Sequence, residues 1–325
     1  MRFSGIATLL LGLAAASPVA EEQQQQQLTR RQASQACNIG FCTQNGGTTG
    51  GAAGPTVTVR TLAELQSNVS GAPKSTMLPH SEAPSTTVNA PPDKTIYGER
   101  GSSLTGVGLY VRRVSNVIIR NMKISGVKAS NGDAVGIDAS TNVWVDHCDL
   151  RGDLSGGKDD LDGLVDVSHG GDFITISYTY FHDSWKASLV GHSDSNGSED
   201  RGKLRVTYAH NHWQNVNSRT PLVRFGTVHV VNSYYQDVLG SGINTRMGAQ
   251  VLVQSSAFAN SNKKAIFFAD SKETGFAVAE DVALGGSQNT APAGSLTSSS
   301  LPYRISGIGS GGVAGTVPGQ AGQKL

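Results

Sequence analysis

Residues 205–213 read Arg-Val-Thr-Tyr-Ala-His-Asn-His-Trp, and residues 173–181 read Phe-Ile-Thr-Ile-Ser-Tyr-Thr-Tyr-Phe. Each is a β-branched alternating run, then one or two polar residues, then a bulky apolar anchor. The plan returns at 116–124 (NVIIRNMKI), 142–150 (NVWVDHCDL), 227–235 (TVHVVNSYY) and 250–258 (QVLVQSSAF). The anchors Ile124, Leu150, Phe181, Trp213, Tyr235 and Phe258 are 26, 31, 32, 22 and 23 residues apart. A fixed segment at unequal intervals describes one supersecondary unit carrying insertions of variable length. One such coil cannot bury its own apolar face, whereas stacked coils bury a continuous column. The expected fold is therefore all-β, a single-stranded right-handed parallel β-helix. A β-propeller asks for longer and more regular blades joined by hairpins.

Composition agrees with that reading. Glycine supplies 40 of the 325 residues, well above the roughly 7% of average proteins. Charged residues make up 16%, against roughly 25%. A net charge of +1 gives no global attraction to nucleic acid or membrane, and no long basic block is present. Upstream of the repeats, Val57-Thr58-Val59 reads as a strand leading into an amphipathic helix that ends at Val69. Thr61 is the candidate N-cap, with Glu64 three residues on. Such a helix would cap the N-terminal end of the β-structure. Residues 72–92 hold five prolines and no convincing strand, which predicts an irregular loop. The segment Cys37 to Gly54 offers little to pack. After about Gly285 the chain turns to Gly, Ser, Pro and Ala and is expected to lie along the outside of the solenoid.

Residues 1–20 have the form of a secretory signal peptide, too short to span a bilayer. Residues 21–31, glutamine-rich and closed by Arg30-Arg31, read as a propeptide with dibasic processing, leaving a single domain over 32–325 near Gln32. The expected location is extracellular, with no membrane anchor and no oligomer. Cys37 and Cys42 could close a small loop and leave Cys148 as a buried thiol, but a bond from Cys148 to either is also open. Asn68-Val-Ser and Asn196-Gly-Ser are glycosylation sequons.

The chemistry is carried by charged residues at near-coil spacing. Asp133, Asp162, Lys186, Arg219 and Arg246 are 29, 24, 33 and 27 residues apart, so all five could project from one edge of successive coils. Neighbouring strands lie about 4.8 Å apart, which puts Asp162 and Arg219, two coils apart, on the order of 10 Å from each other. Asp133, Asp162 and Asp166, with Asn131 nearby, offer hard oxygen ligands that repel one another unless a cation joins them. Calcium suits such a set; solvated turn aspartates are the plain reading. Lys186, Arg224 and Arg246 could bind carboxylates, and Thr220-Pro221 stiffens the turn after Arg219. His210 and His212 share a face on one strand but lack the partners of a zinc set. Asp159-Asp160 reads as solvated turn charge rather than a hydrolase pair.

Asn-Val-Trp-Val-Asp-His at 142–147, Asp162 with Asp166, Trp185-Lys186-Ala-Ser-Leu-Val-Gly-His, Arg219-Thr-Pro-Leu-Val-Arg224 and Asn244-Thr-Arg246 together resemble the pectate lyases of the pectate/pectin lyase family, and their secreted fungal members in particular. The resemblance runs from Cys37 to the C-terminus. It implies a right-handed parallel β-helix, polygalacturonate as substrate and calcium-dependent β-elimination to unsaturated products. It further implies Asp133, Asp162 and Asp166 as Ca2+ ligands, Arg219 as general base, and Lys186, Arg224 and Arg246 as substrate binders. An arginine base departs from the usual permanence of the guanidinium charge; cationic neighbours favour its neutral form, which predicts an alkaline optimum. Rival readings are a metal-independent pectin lyase and a non-catalytic solenoid that binds acidic glycans. One departure from the family pattern stands at 71–93, where a buried Val- and Ile-rich strand is expected. Either that coil is irregular or the gene is misread there.

Overall fold

The computed structural model describes residues 27–28, 30–69 and 74–325, with backbone alone over 74–85. The signal-peptide reading for 1–20 and residues 21–26 and 29 of the proposed propeptide lie outside the described residues. From Thr56 onward the chain winds into a parallel β-helix, and every pairing between its strands is parallel. Each coil contributes a strand to three faces. The first face stacks Val135–Asp138, Val165–Ser168, Ser188–Val190, Leu222–Arg224, Ile243–Arg246 and Lys264–Phe267. The second stacks Ser115–Arg120, Thr141–Asp146, Asp172–Ser177, Arg205–Ala209, Thr227–Val231 and Gln250–Ala259. The third includes Lys123–Ser125, Asp149–Arg151, Tyr180–Lys186, His212–Ser218 and Tyr234–Val238.

Side chains alternate across each strand, so one residue in two enters the core at the same register on every rung. On the second face Val117, Val143, Ile174, Val206, Val228 and Val251 form one such column. On the third, Leu104, Ile124, Leu150, Phe181, Trp213, Tyr235 and Phe258 are consecutive register partners. The anchors read from the sequence are therefore a single ladder. Its aromatic members stack nearly parallel, with centroids 4.0 Å apart for Phe181–Trp213, 5.7 Å for Trp213–Tyr235 and 4.2 Å for Tyr235–Phe258. Such pairs are worth about 0.5–1.5 kcal/mol beyond the area they bury.

The helix Leu62–Val69 buries Leu65 and Val69 in the main core, against Val59 and Val88. Its start is a capping box: Glu64 N–H donates to Thr61 Oγ1 at 3.2 Å, and Thr61 N–H to Glu64 Oε2 at 3.2 Å. The loop expected over 72–92 is instead the strand Lys74–Asn89, paired with Lys94–Arg112. Its register breaks between Leu78 and His80 and between Glu82 and Thr86. Pro79 and Pro84 sit at those breaks, where a residue without an N–H cannot join a ladder; the intervening stretches still pair.

The segment after Cys37 packs more than its composition suggests. Cys37 and Cys42 form a disulfide, and Cys148 is a buried free thiol. Phe41 and Cys42 lie on the second face, their N–H groups donating to Thr207 and Thr175 at 3.1 and 3.0 Å. The Trp-Val-Asp-His motif serves this seam. Trp144 packs under Cys42, Asn142 donates to Gln44 and Gly47, and buried Asp146 binds Arg120, His147 and Ser177. The C-terminal tail does run along the outside, but it contains a helix, Ser310–Gln320, whose Val313 and Val317 pack against Tyr180, Tyr234 and Ala257.

Candidate active site

Four of the charged residues precede the first-face strand of their own coil by two or three positions. Asp133 precedes Val135, Asp162 precedes Val165, Lys186 precedes Ser188 and Arg219 precedes Leu222. Because the strands stack in register, the four stand at one edge of the first face on successive rungs. Two rungs are acidic and the next two are cationic. Arg246 does not join this row: it closes its strand and is the register partner of Arg224, at the opposite end of the same strands. A first-face strand is only three or four residues long, so the two edges border one shallow floor.

Asp166 points onto that floor from the middle of the acidic rung, register partner of Gly136 on one side and Leu189 on the other. Asp133 and Asp166 converge around Gly163. A Cβ built on Gly163 would lie 2.5 Å from Asp166 Oδ1 and 2.8 Å from Asp133 Oδ1, so only glycine leaves room for both oxygens. Gly163 N–H donates to Asp133 Oδ1 at 2.9 Å, and Leu189 N–H to Asp166 Oδ1 at 3.0 Å. Burial and the charge of Asp162 push the Asp133 pKa up to about 6. Burial and the charge of Asp133 push Asp166 well above its ordinary value. Both shifts are the signature of like charges confined out of water.

Asp162 is near enough to raise both neighbours, but Lys186 holds it: Nζ lies 3.0 Å from Asp162 Oδ1 and 3.3 Å from Asp159 Oδ1. Among the described residues no group of three acidic, histidine or cysteine side chains is gathered as a metal centre. The converging pair, with its glycine cradle and its unfavourable charge, nevertheless fits a hard cation with oxygen ligands. Trp185 donates from Nε1 to Gly156 O at 3.0 Å, tying the acidic loop 152–163 to the rung that carries Lys186.

Arg219 has left-handed backbone (φ 61°), and the Thr220–Pro221 bond after it is cis. Its carbonyl accepts from Ser188 N–H at 2.8 Å, which fixes the main chain against the Lys186 rung. Among the described residues its guanidinium has no ion-pair partner, although its charge lowers the pKa of both Asp133 and Asp166. Arg224 is held by Asp194 Oδ1 at 2.5 Å and Gly191 O at 2.9 Å. Arg246 reaches Asp270 at 3.4 Å, and its buried Nε has no acceptor among the described residues.

The remaining candidates belong elsewhere. Asp160 closes its own turn by accepting from Gly157 N–H. His210 and His212 do not share a strand face: the chain bends at His210 (φ 58°), and the two imidazoles enter separate stacks, on Tyr178 and on Tyr180. Asp159, expected as solvated turn charge, is exposed but also pairs with Lys186 at 3.3 Å; Asp194 and Asp270, which hold the other cations, are not evident from spacing because they lie in insertions outside the repeat.

The pattern that defines the pectate lyase family matches residues 6–307. The chain belongs to that family. A pectate lyase of Emericella nidulans is 62% identical over the whole of both chains, and pectate lyase B of Colletotrichum gloeosporioides is 49% identical over 91% of this chain and 88% of its own. Among solved structures, a Bacillus pectate lyase in complex with trigalacturonate superposes with a TM-score of 0.80 at 27% identity, covering 88% of this chain and 98% of its own. A Xanthomonas campestris pectate lyase superposes with a TM-score of 0.76 at 28% identity, with the same coverage. The protein is thus a polysaccharide lyase built on the parallel β-helix, as the repeat and the motifs imply.

Proposed function

We propose that this pectate lyase is secreted, acts as a monomer on polygalacturonate, and cleaves it by calcium-dependent β-elimination. The observation that carries this reading is the change of sign along one edge, from Asp133 and Asp162 to Lys186 and Arg219. An anionic polymer laid across these rungs meets a site for a cation, then two cationic side chains. Asp133, Asp162 and Asp166 would hold Ca2+, which when bound neutralises a galacturonate carboxylate and makes the adjacent C5 proton more acidic. Lys186, Arg224 and Arg246 hold carboxylates of the chain on either edge of the floor. Arg219, without an ion-pair partner among the described residues, removes the C5 proton when its guanidine is neutral and becomes the guanidinium; the electron pair forms the C4–C5 double bond, and the C4 glycosidic oxygen leaves and takes a proton from solvent.

Export is supported by the Cys37–Cys42 disulfide, a bond suited to an oxidising compartment, and by the form of the N-terminus. Arg30 and Arg31 are exposed, while Gln32 accepts from Tyr97 Oη at 2.7 Å and from Arg120 at 2.9 Å, so a cut after Arg31 spares the anchored chain. Of the two sequons, half-buried Asn68 donates from Nδ2 to Glu64 O at 2.9 Å, and Asn196 buries its Nδ2. The test is a polygalacturonate assay following the conjugated double bond, with and without a calcium chelator. Unsaturated product that vanishes with chelation and returns with calcium is expected. Undiminished product after thorough chelation overturns the calcium reading, and saturated ends overturn the elimination.

A further inference from the structure

Arg224 and Arg246 are register partners on adjacent rungs, about 4.8 Å apart along the stack, and two guanidinium groups so placed repel. Burial and the Arg224 charge together hold the Arg246 pKa below its ordinary value. Something must keep Arg224 extended beside its neighbour. Its Nε donates to Asp194 Oδ1 at 2.5 Å, and its Nη1 to Gly191 O at 2.9 Å. These bonds use two of the five guanidinium hydrogens and, among the described residues, leave the Nη2 end uncommitted. The side chain is only 13% exposed.

Asp194 is itself held from a distance. It lies in the insertion between Ser188–Val190 and Arg205–Ala209, and its Oδ2 accepts from Ser271 Oγ at 2.5 Å. Ser271 lies in the loop between Lys264–Phe267 and Phe276–Ala283. That loop is three rungs further along the first face. The same two loops meet again where Arg201 binds Glu273 at 2.6 Å, and Asp270 of the second loop faces Arg246. A bridge therefore spans the edge that carries Arg224 and Arg246. Burial alone would raise the Asp194 carboxyl; the hydrogen bonds from Ser271 and Arg224 outweigh it and lower its pKa, so Asp194 stays charged well into acid.

From this arrangement we infer that Asp194, braced by Ser271, is a positioning residue: it fixes the rotamer of Arg224 so that the free end of its guanidinium, on the rung next to Arg246, presents a preformed socket to one carboxylate of the substrate chain. A long cationic side chain left without such a brace must be ordered at the moment of binding. The inference rests on the proposed role of Arg224 in holding substrate.

The experiment is steady-state kinetics on polygalacturonate at saturating calcium for Asp194→Ala, Asp194→Glu, Ser271→Ala, Arg224→Ala and the double variant Asp194→Ala/Arg224→Ala, each with a thermal melt. Asp194→Ala should raise KM ~10-fold, the scale of one charge-assisted hydrogen bond, and change kcat much less. Asp194→Glu should recover part of that loss, and Ser271→Ala should give a smaller rise of the same kind. Because Asp194 acts through Arg224, the double variant should be no worse than Arg224→Ala. An Asp194→Ala enzyme with unchanged KM while Arg224→Ala is impaired overturns the positioning role and leaves Arg224 in place. Additive losses overturn it as well. If Arg224→Ala binds substrate normally, the underlying reading of Arg224 fails instead. Should Asp194→Ala not fold, Ser271→Ala decides: its KM rises, or the brace is unimportant.

Discussion

The anchor ladder inside the helix and the charged row on its outer edge are made by the same operation, a translation of about 4.8 Å from rung to rung, yet they obey opposite rules. Inside, repetition is rewarded. Phe181, Trp213, Tyr235 and Phe258 stack ring on ring, and each copy helps to bury the next. Outside, repetition of a charge is penalised, and the row changes sign between Asp162 and Lys186. Where two acids do stay together, at Asp133 and Asp166, the mismatch appears as raised pKa values and a glycine cradle between them. Where two cations stay together, at Arg224 and Arg246, carboxylates from two insertions stand over them. A stacked fold thus stores stability in its like columns and reactivity in its unlike ones.

The strongest way to break that division is Arg219→Lys. The substitution keeps a cation in the row but removes the guanidinium and its reach. Loss of general-base action costs on the order of 10²–10⁴ in kcat, while the melting temperature should hardly move, since no ion pair among the described residues depends on Arg219. A variant that keeps its kcat, or one that loses stability in step with activity, shows that the row and the ladder are not separate.

A second test reads the acidic pair through pH, without calcium. In the folded protein burial and the Asp162 charge push the Asp133 carboxyl up to about 6, above the 3.8 of the free side chain, and Asp166 shifts the same way. Between those values the native state binds more protons than the unfolded chain, so this contribution to stability falls as pH rises and is lost above about 6. Buried His210, His212 and His229 act oppositely. Burial holds each at about 4, below its ordinary value, so their contribution is present above about 6.5 and lost as pH falls toward 4. The carboxylate effect is therefore the difference between wild type and Asp133→Asn, melted in chelator. The variant should gain on the wild type as pH rises from 4 to 6 and hold its lead above. Saturating calcium should reverse the order, because the variant has lost a ligand. A difference independent of pH would mean that the pair carries no repulsion to relieve.

Much of this is legible in the sequence, for physical reasons. The ladder could be read because a core column demands the same residue class at each turn, and Ile124 to Phe258 satisfy it. Asp133, Asp162, Lys186 and Arg219 could be placed on one edge because they fall at coil spacing. Arg246 falls at the other end of its strand, beside Arg224, because coil spacing fixes the rung but not the end of the strand. The pairing of Lys74–Asn89 was hidden because proline signals a break in hydrogen bonding, and here two breaks interrupt a strand without abolishing it. Asp194 and Ser271 could not be read at all. They lie 77 residues apart in insertions with no period, and only three rungs of stacking bring them together.

The smallest expected effect tests the rule for the interior most directly. Tyr235 is a full member of the ladder, 0% exposed and register partner of Trp213 and Phe258. Its ring obeys the rule, but its hydroxyl has no hydrogen-bond partner among the described residues. A buried polar group without a partner costs about 1–3 kcal/mol, and the phenylalanine ring fills the same stack. Tyr235→Phe should therefore leave kcat and KM unchanged and raise the free energy of unfolding read from denaturant curves, by up to about 1–2 kcal/mol once the small void left by the oxygen is counted. A clear loss of stability would mean that the hydroxyl is satisfied, by ordered water in the core or by a partner on the next rung. In that case the column does not reward apolar likeness alone, and the contrast with the charged edge is one of degree.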